Sequence, residues 1–239
     1  MSDGNLSDRV VIVTGASSGV GACTTRALAQ QGAKVTAVAR SRERMDELFA
    51  VLSDVEIEPG DVRSLSDMER VTQATIERHG RCDALIANAG VGEYADFLDM
   101  SAETVQEIIE INLLGTIWAI RAALPQMLEQ GRGDIVVVSS VVALIDAAGE
   151  AVYAATKAAQ KRLAGCLDLE LRERGVRVTT LCPGGIKTGF AIGRGREEGS
   201  AELDTMLDPD DVAAAILTVL AQPPMVRTTL WGMSSMLEE

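Results

Sequence analysis

Histidine and cysteine, the residues that most often bind zinc, are scarce in this sequence. His79 is the single histidine, and the four cysteines lie far apart, at Cys23, Cys82, Cys166 and Cys182. No C-x-x-C pair occurs, whereas a structural zinc site needs four nitrogen or sulfur ligands at short spacings. The sequence therefore predicts no metal site, and we interpret the cysteines as buried thiols in apolar segments. His79, in the run ERHGRCD, is predicted to end a helix rather than to serve a Ser-His-Asp hydrolase.

The chain also lacks an excess of basic residues, a membrane-length apolar run and a signal peptide. Its 22 Lys and Arg residues stand against 35 Asp and Glu residues, for a formal net charge of −13. This acidity repels phosphate backbones and anionic lipids, which disfavours nucleic-acid and membrane partners. No apolar run approaches the ~20 residues of a membrane helix, and the start, MSDGNLSDR, has no basic stretch followed by an apolar one. We expect a soluble, cytoplasmic protein.

Strand-like and helix-like segments alternate along the 239 residues, of which 47% are apolar and 24% charged. Short aliphatic runs bounded by turn residues predict strands at 10–13, 34–39, 55–58, 84–87, 135–138 and 176–182, with a further strand around 226–230. Helical spacing of apolar residues predicts helices at 19–31, 41–52, 65–78, 101–130, 151–174 and 210–221. A bend or break in the fourth helix is predicted near Pro125.

This alternation predicts an α/β fold, with one doubly wound parallel sheet and helices on both faces. No linker rich in Pro, Gly or Ser divides the chain, so we predict a single domain over residues 1–239. The least regular stretch, 183–208, holds six glycines. A long loop of this kind is a functional lid or a disordered segment. It follows the sixth strand, and the carboxyl ends of such strands line the ligand crevice.

A glycine-rich run, TGASSGVG at 14–21, follows the first predicted strand and opens the first helix. A pyrophosphate needs backbone N–H donors at a helix N-terminus, and glycines let the backbone approach it closely. The spacing G-x-x-x-G-x-G is one residue longer than the common dinucleotide fingerprint. The run therefore predicts a phosphate-binding loop, although glycines also serve simple turns.

The end of the second strand reads AVAR, where NAD-binding sheets carry an acidic residue for the ribose 2′-OH. Ala39 takes the acidic position, and Arg40 follows it. A guanidinium can hold a 2′-phosphate through two hydrogen bonds, which a carboxylate would repel. Arg40 therefore favours NADP over NAD, unless it is only a solvated charge in the first turn of a helix.

A second cluster consists of Ser140, Tyr153 and Lys157. Tyr153 and Lys157 stand four positions apart on a predicted helix and so share one face. Ser140 follows the fifth strand, where the crevice opens. A tyrosine of ordinary pKa is a poor base at neutral pH, and a nearby ammonium would lower that pKa. Such a pair alone also occurs by chance on amphipathic helices.

Taken in order, these motifs resemble the short-chain dehydrogenase/reductase family. The set is TGASSGVG, Asp61-Val62, Asn88-Ala89-Gly90, Asn112, Ser140, Tyr153-Ala-Ala-Thr-Lys157 and Pro183-Gly184 through Thr188. The resemblance runs from Val10 to about Ala221 and implies one Rossmann-type, NAD(P)-binding domain with a substrate loop at 183–208. Two features depart from the family: Ala87 stands where Asn is frequent, and the tail QPPMVRTTLWGMSSMLEE is similar to small carbonyl reductases and hydroxy-acid dehydrogenases rather than acyl-carrier-protein ketoreductases.

The resemblance implies roles for four catalytic residues. Tyr153 would exchange a proton with the substrate oxygen, and Ser140 would hydrogen-bond that oxygen. Lys157 would lower the pKa of Tyr153 and hold the nicotinamide ribose. Asn112 would anchor a water that links Lys157 to a proton relay. Taken alone, Asn112 is equally well explained as a buried structural residue.

The resemblance also implies the cofactor and substrate contacts. The cofactor, NADP(H), would meet Gly15, Ser17, Ser18, Gly19, Val20, Gly21, Arg40, Asp61, Val62, Asn88, Ala89, Gly90, Tyr153, Lys157, Pro183, Gly184, Ile186 and Thr188. Asp61 on its own would be interpreted as a helix cap. The substrate would meet Ser140, Val142, Ile145, Tyr153, Gly185 and Phe190. Arg194 and Arg196 alternate with Glu197 and Glu198, which favours a solvated lid over a site for an acidic substrate.

The leading hypothesis is thus an NADP-dependent oxidoreductase acting on a small carbonyl or secondary alcohol, as a carbonyl reductase or an alcohol or hydroxy-acid dehydrogenase. A 3-oxoacyl-thioester reductase is the alternative, although an acidic carrier protein prefers a basic docking patch. A non-catalytic NADP-sensing protein is a third reading, and the intact Ser-Tyr-Lys set counts against it. Family members pair their long helices, which predicts a homodimer or homotetramer; each apolar stripe also fits burial on its own sheet.

Overall fold

The computed structural model describes residues 6–237. Its strands form one sheet, in which every neighbouring pair is parallel and the order is β3-β2-β1-β4-β5-β6-β7. The strands are β1 Val10–Thr14, β2 Lys34–Ala39, β3 Val55–Pro59, β4 Ala84–Ala87, β5 Gly133–Val138, β6 Val176–Pro183 and β7 Leu230–Met233. The strand order reverses between β1 and β4, which places a ligand crevice at the carboxyl ends of these strands.

Helices cover both faces of the sheet. They are α1 Gly19–Gln30, α2 Arg42–Phe49, α3 Leu65–His79, α4 Ala102–Ile108, α5 Gly115–Gln130, α6 Ala151–Leu171 and α7 Pro209–Leu220. Side chains alternate along β1, so Val11 packs with Leu28 of α1 and Ile216 of α7, while Ile12 packs on the opposite face with Met127 of α5. The predicted α/β fold with a doubly wound parallel sheet is confirmed.

Of the bend or break predicted near Pro125, the break is wrong, because α5 continues through that residue, and the bend stays a prediction. Pro125 is exposed, so water can satisfy the backbone carbonyl that loses its helical partner. The irregularity lies earlier, where Ile109–Leu114 forms a π-helical segment between α4 and α5. A π segment of this kind is often found at a functional site.

The last strand lies four residues later than predicted, at Leu230–Met233 instead of 226–230. The chain before it is held by side chains of β6: Arg177 Nη1 donates to the Val226 carbonyl at 2.9 Å, and Thr179 Oγ1 donates to the Thr228 carbonyl at 2.6 Å. Side-chain bonds thus hold residues 226–228 beside β6. Backbone pairing with β6 begins at Leu230.

The stretch 183–208 is ordered by contacts at both of its ends. Ile186 pairs with Leu207, Leu207 N donates to the Gly185 carbonyl at 2.9 Å, and Lys187 N donates to the Leu207 carbonyl at 2.9 Å. A short 3-10 helix, Ala201–Thr205, precedes the closure. The segment is therefore an excursion that leaves the sheet and returns at one place.

The continuous helical stretch Ala102–Gln130 is long and apolar enough to cross a membrane by length and composition, and it is the one such stretch in residues 6–237. Its apolar residues Ile120, Ala123 and Met127 are buried in the core against the sheet. The apolar character of this stretch is thus accounted for by packing within the fold.

The cysteines behave differently from one another. Cys82 and Cys182 are buried as predicted, and Cys23 is half-buried. Cys166 is exposed, so the prediction of a buried thiol is wrong there. It lies on the outer face of α6, beside Gly165 and Leu169, which are also exposed. The apolar period predicted the helix correctly. It did not distinguish the exposed face of the helix from the buried face, because the exposed face also carries small residues.

Candidate active site

The glycine-rich loop joins β1 to α1 and leaves the first turn of the helix open. Gly15 and Gly19 adopt positive φ angles of 70° and 49°, which glycine adopts without strain. A Cβ at Gly21 would lie 2.3 Å from the Gly15 carbonyl oxygen, so no larger residue fits. Ser18 precedes the helix and makes no capping bond with its side chain. The loop therefore presents uncapped backbone donors at a helix N-terminus, an arrangement that fits a phosphate group.

The loop after β4 is fastened to the end of β1. Asn88 Nδ2 donates to the Thr14 carbonyl at 3.0 Å, while the backbone N–H groups of Asn88 and Ala89 donate to Thr14 Oγ1 at 3.1 and 3.2 Å. Thr14 is thus a bracing residue whose role the sequence did not reveal. Thr14 therefore holds together the two loops at the carboxyl ends of β1 and β4.

The two arginines after β2 differ in their contacts. Arg42 Nη2 donates to the Ile57 carbonyl at 3.0 Å, whereas Arg40 is exposed and forms no ion pair within residues 6–237. Asp61, after β3, is held by Arg63, whose Nε lies 3.1 and 3.0 Å from its two oxygens. The Arg63 guanidinium lowers the pKa of Asp61, and the charge of Arg40 adds to the effect. Arg40 thus stands close to Asp61 with its guanidinium available.

Asp61 does not cap α3. The cap is Ser64, whose side chain accepts from Asp67 N. Val62 is buried, and a Cβ at Gly115 would lie 2.7 Å from one of its methyl groups. The segment after β3 is therefore packed on the start of α5, with Asp61 left half-buried at its surface.

The Ser-Tyr-Lys set is brought together at the carboxyl end of β5. Ser140 follows β5, and Tyr153 and Lys157 lie on the first turns of α6 with only 7% and 3% of their surface exposed. The Ser140 side chain is near enough to the Tyr153 hydroxyl to act on its pKa. Lys157 Nζ donates to the Val138 carbonyl at 3.0 Å and lies 5.5 Å from the centre of the Tyr153 ring.

Burial sets the proton affinities of this cluster. It raises the pKa of Tyr153, and the Ser140 side chain acts in the opposite direction. It also lowers the pKa of Lys157, to about 8. In the protein alone, loss of water around the phenolate outweighs the contacts that act to lower the pKa of Tyr153.

Asn112 lies in the π-helical segment, with its side chain fully buried. Its Oδ1 accepts from Val91 N at 2.8 Å, and its Nδ2 donates to the Val91 carbonyl at 2.9 Å and to Thr156 Oγ1 at 3.1 Å. A Cβ at Gly90 would lie 3.4 Å from Asn112 Oδ1 and 3.5 Å from Lys157 Nζ. Asn112 thus ties the loop after β4 to α6, and it faces Lys157 across Gly90.

Aromatic side chains form the wall beside Tyr153. The Phe190 ring lies 5.5 Å from the Tyr153 ring, and the Tyr94 ring lies 6.5 Å from it in an edge-to-face arrangement. A Cβ at Gly92 would lie 2.7 Å from Phe190 and 3.2 Å from Tyr153, so only glycine lets these rings meet. Tyr94 did not emerge from the sequence, although its place just after β4 predicts the carboxyl edge of the sheet.

The other predicted contacts are distributed along the crevice. Thr188 lies against the glycine-rich loop, since a Cβ at Gly19 would be 3.2 Å from its methyl group. Val142 is half-buried beside Ser140, and Ile145 is 62% exposed. Gly185 faces Met206, which would lie 2.9 Å from a Cβ there. Of the remaining predicted cofactor residues, Val20 and Pro183 are buried and Ser17, Gly184 and Ile186 are half-buried.

The interpretation of Arg194 and Arg196 as solvated charges is wrong. Arg194 Nη2 lies 2.8 Å from Glu107 Oε2, in an ion pair. The guanidinium carbon of Arg196 lies 5.5 Å from the centre of the Tyr94 ring. Both side chains are half-buried, because the loop folds back on the segment after β4 rather than extending into water.

Comparisons with known proteins agree with this geometry. A family model described as short chain dehydrogenase matches residues 9–199. An uncharacterized oxidoreductase of Staphylococcus saprophyticus is 34% identical over 226 residues, which cover 92% of this chain and 94% of that protein. The closed form of a serine dehydrogenase complexed with NADP+ is 32% identical, with a TM-score of 0.91 and 96% of each chain covered. A 3-ketoacyl-(acyl-carrier-protein) reductase from Brucella melitensis complexed with NADH is 25% identical, with a TM-score of 0.88, 96% of this chain and 98% of that chain covered. This chain belongs to the short-chain dehydrogenase family of oxidoreductases.

Proposed function

We propose that this oxidoreductase transfers hydride between NADP(H) and a small carbonyl or secondary alcohol substrate. The observation that carries the proposal is the burial of Ser140, Tyr153 and Lys157 together at the carboxyl end of β5, with Lys157 Nζ 5.5 Å from the centre of the Tyr153 ring. Two hydroxyl groups at the open end of a parallel sheet suit proton exchange with an oxygen whose carbon gains or loses hydride. The same cluster serves either direction of the reaction.

In reduction, Tyr153 gives its hydroxyl proton to the carbonyl oxygen; in oxidation, it takes a proton from the alcohol. Ser140 donates a hydrogen bond to the same oxygen and stabilises its developing negative charge. Lys157 supplies a positive charge that favours the ionised tyrosine. A water held by Asn112 Oδ1 and Lys157 Nζ, which both face Gly90, would continue the proton path.

When bound, the nicotinamide cofactor supplies or accepts the hydride. The glycine-rich loop fits its phosphates, and Arg40 its 2′-phosphate, since that guanidinium is exposed and forms no ion pair within the described residues. Asp61, Val62 and Asn88 would line the adenosine side. Lys157 would hold the ribose, and Ile186 with Thr188 the carboxamide end.

Hydroxy-acid chemistry is supported within this class by the likeness to a serine dehydrogenase. The likeness to an acyl-carrier-protein reductase supports a second candidate, a 3-oxoacyl-thioester reductase. Net charge −13 opposes that candidate, because its carrier protein is acidic.

The proposal also includes self-association through the outer face of α6, where Leu169 is 62% exposed. Light scattering would measure the oligomeric state.

The test is Tyr153→Phe, assayed with purified protein. NADPH and NADH are titrated separately, and ketones, alcohols and hydroxy acids are then screened at the nicotinamide absorbance. We expect Tyr153→Phe to lower kcat by about 10²- to 10⁴-fold, because it removes the exchanging proton, while the Kd for NADPH changes less than about threefold. Unchanged turnover would refute the proton-transfer role. NADPH binding without turnover of any compound would favour the sensing protein instead.

A further inference from the structure

Arg196 is held in place by a tight turn within the 183–208 excursion. Ile192 pairs with Arg196, Gly193 N donates to the Arg196 carbonyl at 2.9 Å, and Arg196 N donates to the Ala191 carbonyl at 3.1 Å. Gly193 and Gly195 have positive φ angles of 74° and 89°, which allow the turn to close. The side chain of Arg196 is therefore carried by a defined backbone.

The turn is also fixed against Tyr94. Tyr94 N donates to the Arg194 carbonyl at 2.9 Å, and a Cβ at Gly195 would lie 2.2 Å from the Tyr94 carbonyl oxygen. Because backbone meets backbone here, the segment that carries Arg196 is held beside Tyr94, and the guanidinium carbon lies 5.5 Å from the Tyr94 ring centre. The Tyr94 ring in turn meets the Tyr153 ring. One aromatic ring separates the guanidinium from the ring that carries the reactive hydroxyl.

The charge of Arg196 is not neutralised by an ion pair within residues 6–237. Its donors make only long contacts, at 3.4 Å each, to the carbonyls of Ile186 and Phe190 and to the Tyr94 hydroxyl. Arg194, two positions away, is paired with Glu107 at 2.8 Å. A half-buried guanidinium that forms no ion pair is stabilised when an anion binds it.

Glu150, the residue just before α6, is an acidic side chain that feels this charge, and Glu202 lies near enough to act on Glu150 in turn. Its pKa is raised, because burial outweighs the attraction of Arg196. Arg196 also acts to lower the pKa of Tyr153, so its field reaches the reactive hydroxyl. Glu150 and Arg196 form no ion pair, which leaves the guanidinium free for an incoming anion.

We infer that Arg196 binds a carboxylate of the substrate, and that the substrate is a short hydroxy acid or the matching oxo acid. The wall of Tyr94, Phe190 and Tyr153 suits a short carbon chain, with Lys157 beside Tyr153 and the Arg196 guanidinium beside Tyr94 at the other end of the wall. The guanidinium carbon lies 5.5 Å from the Tyr94 ring centre, and that centre lies 6.5 Å from the Tyr153 ring centre, so a substrate that contacts both Arg196 and Tyr153 carries its carboxylate near the reacting carbon. This inference rests on the proposed function and narrows its substrate class.

The experiment compares hydroxy acids with their methyl esters, which keep the reacting alcohol and lose the charge. Wild-type protein is expected to prefer the acid in kcat/KM by about 10- to 100-fold, the range of one or two charge-assisted hydrogen bonds. Arg196→Gln should remove this preference by lowering kcat/KM for the acid 10- to 100-fold and for the ester less than about threefold. Arg194→Gln is the matched control, because its guanidinium is already paired, and it should keep the preference.

Equal losses for acid and ester in Arg196→Gln, or a wild-type enzyme that prefers the ester, would overturn the inference. Binding is measured independently of turnover, by calorimetry of 3-methoxypropionate and of its methyl ester, with and without NADP+. The acid alone should bind wild type, and it should bind Arg196→Gln at least tenfold more weakly; equal binding, or none, counts against the inference. Failure of the proposed function looks different, since no alcohol would then be oxidised while the acid still binds.

Discussion

Arg40 and Arg42 share a segment and a charge but differ in what they contact. Arg42 is committed to the Ile57 carbonyl, and Arg40 is exposed beside Asp61. Arg40→Ala is therefore expected to raise the Kd for NADPH about 10- to 100-fold while that for NADH changes less than about threefold. Both constants are measured by nicotinamide fluorescence, with Arg42→Ala as the control. An equal loss for both nucleotides would contradict the proposed grip on the 2′-phosphate.

Lys157 makes stability depend on pH. Its pKa in the folded protein, about 8, lies below the ~10.4 of an unfolded lysine. Between these values the unfolded chain binds more protons, so the free energy of unfolding rises with pH. We expect the wild-type value to gain about 1–2 kcal/mol over that of Lys157→Met between pH 8 and about pH 9.5, measured by urea denaturation. The raised pKa of Tyr153 acts only at higher pH, and equal slopes for the two proteins would refute the prediction.

At the scale of elements, Asn112 joins the π-helical segment to two other parts of the fold. Asn112 satisfies both backbone groups of Val91 and reaches Thr156 on α6. Asn112→Ala leaves these buried groups unpaired and is expected to lower the free energy of unfolding by about 2–4 kcal/mol. Gln106→Ala, on the exposed side of the same helical stretch, is the control and should cost less than about 0.5 kcal/mol. If Asn112→Ala and Gln106→Ala lowered the urea midpoint equally, the hydrogen bonds of Asn112 would not have the stabilising role expected here.

Most elements were predictable because their apolar periods are strong. The four residues of β4 were placed without error, and α1, α3 and α7 within one residue at each end. The π segment and the start of β7 were not predictable from apolar periods, which do not show the side-chain bonds found there, from Asn112 in one case and from Arg177 and Thr179 in the other. Arg196 was misjudged for the same reason: alternating charges say nothing about which of them folds back onto Tyr94.

At the scale of the molecule, the two ends of the sheet carry different groups of side chains. The carboxyl ends carry the reactive groups, and the amino ends carry an ion cluster in which Asp134 pairs with Arg9 and, at 2.6 Å, with Arg177. Asp134 is buried, so removing it leaves two guanidinium groups poorly compensated.

Asp134→Ala is therefore expected to lower the free energy of unfolding by about 2–4 kcal/mol without altering the Kd for NADPH. Asp54→Ala, which breaks the exposed pair with Lys34, is the control and should cost at most about 1 kcal/mol. Chemical denaturation and nucleotide titration on the same samples separate the two effects. A changed Kd in the folded Asp134→Ala protein would show that the two ends of the sheet are coupled.

The closure of the 183–208 excursion at Ile186 and Leu207 has a consequence for how this protein can diverge. Because the chain leaves and rejoins the sheet at one place, residues inserted near 197–200 lengthen the excursion without displacing β6 or α7. Under the proposed function, substrate choice can then change by insertion, deletion or exchange of this segment, while the glycine-rich loop and the Ser-Tyr-Lys set keep their places. Proteins that share this fold can in this way keep the same reaction and differ in their substrates.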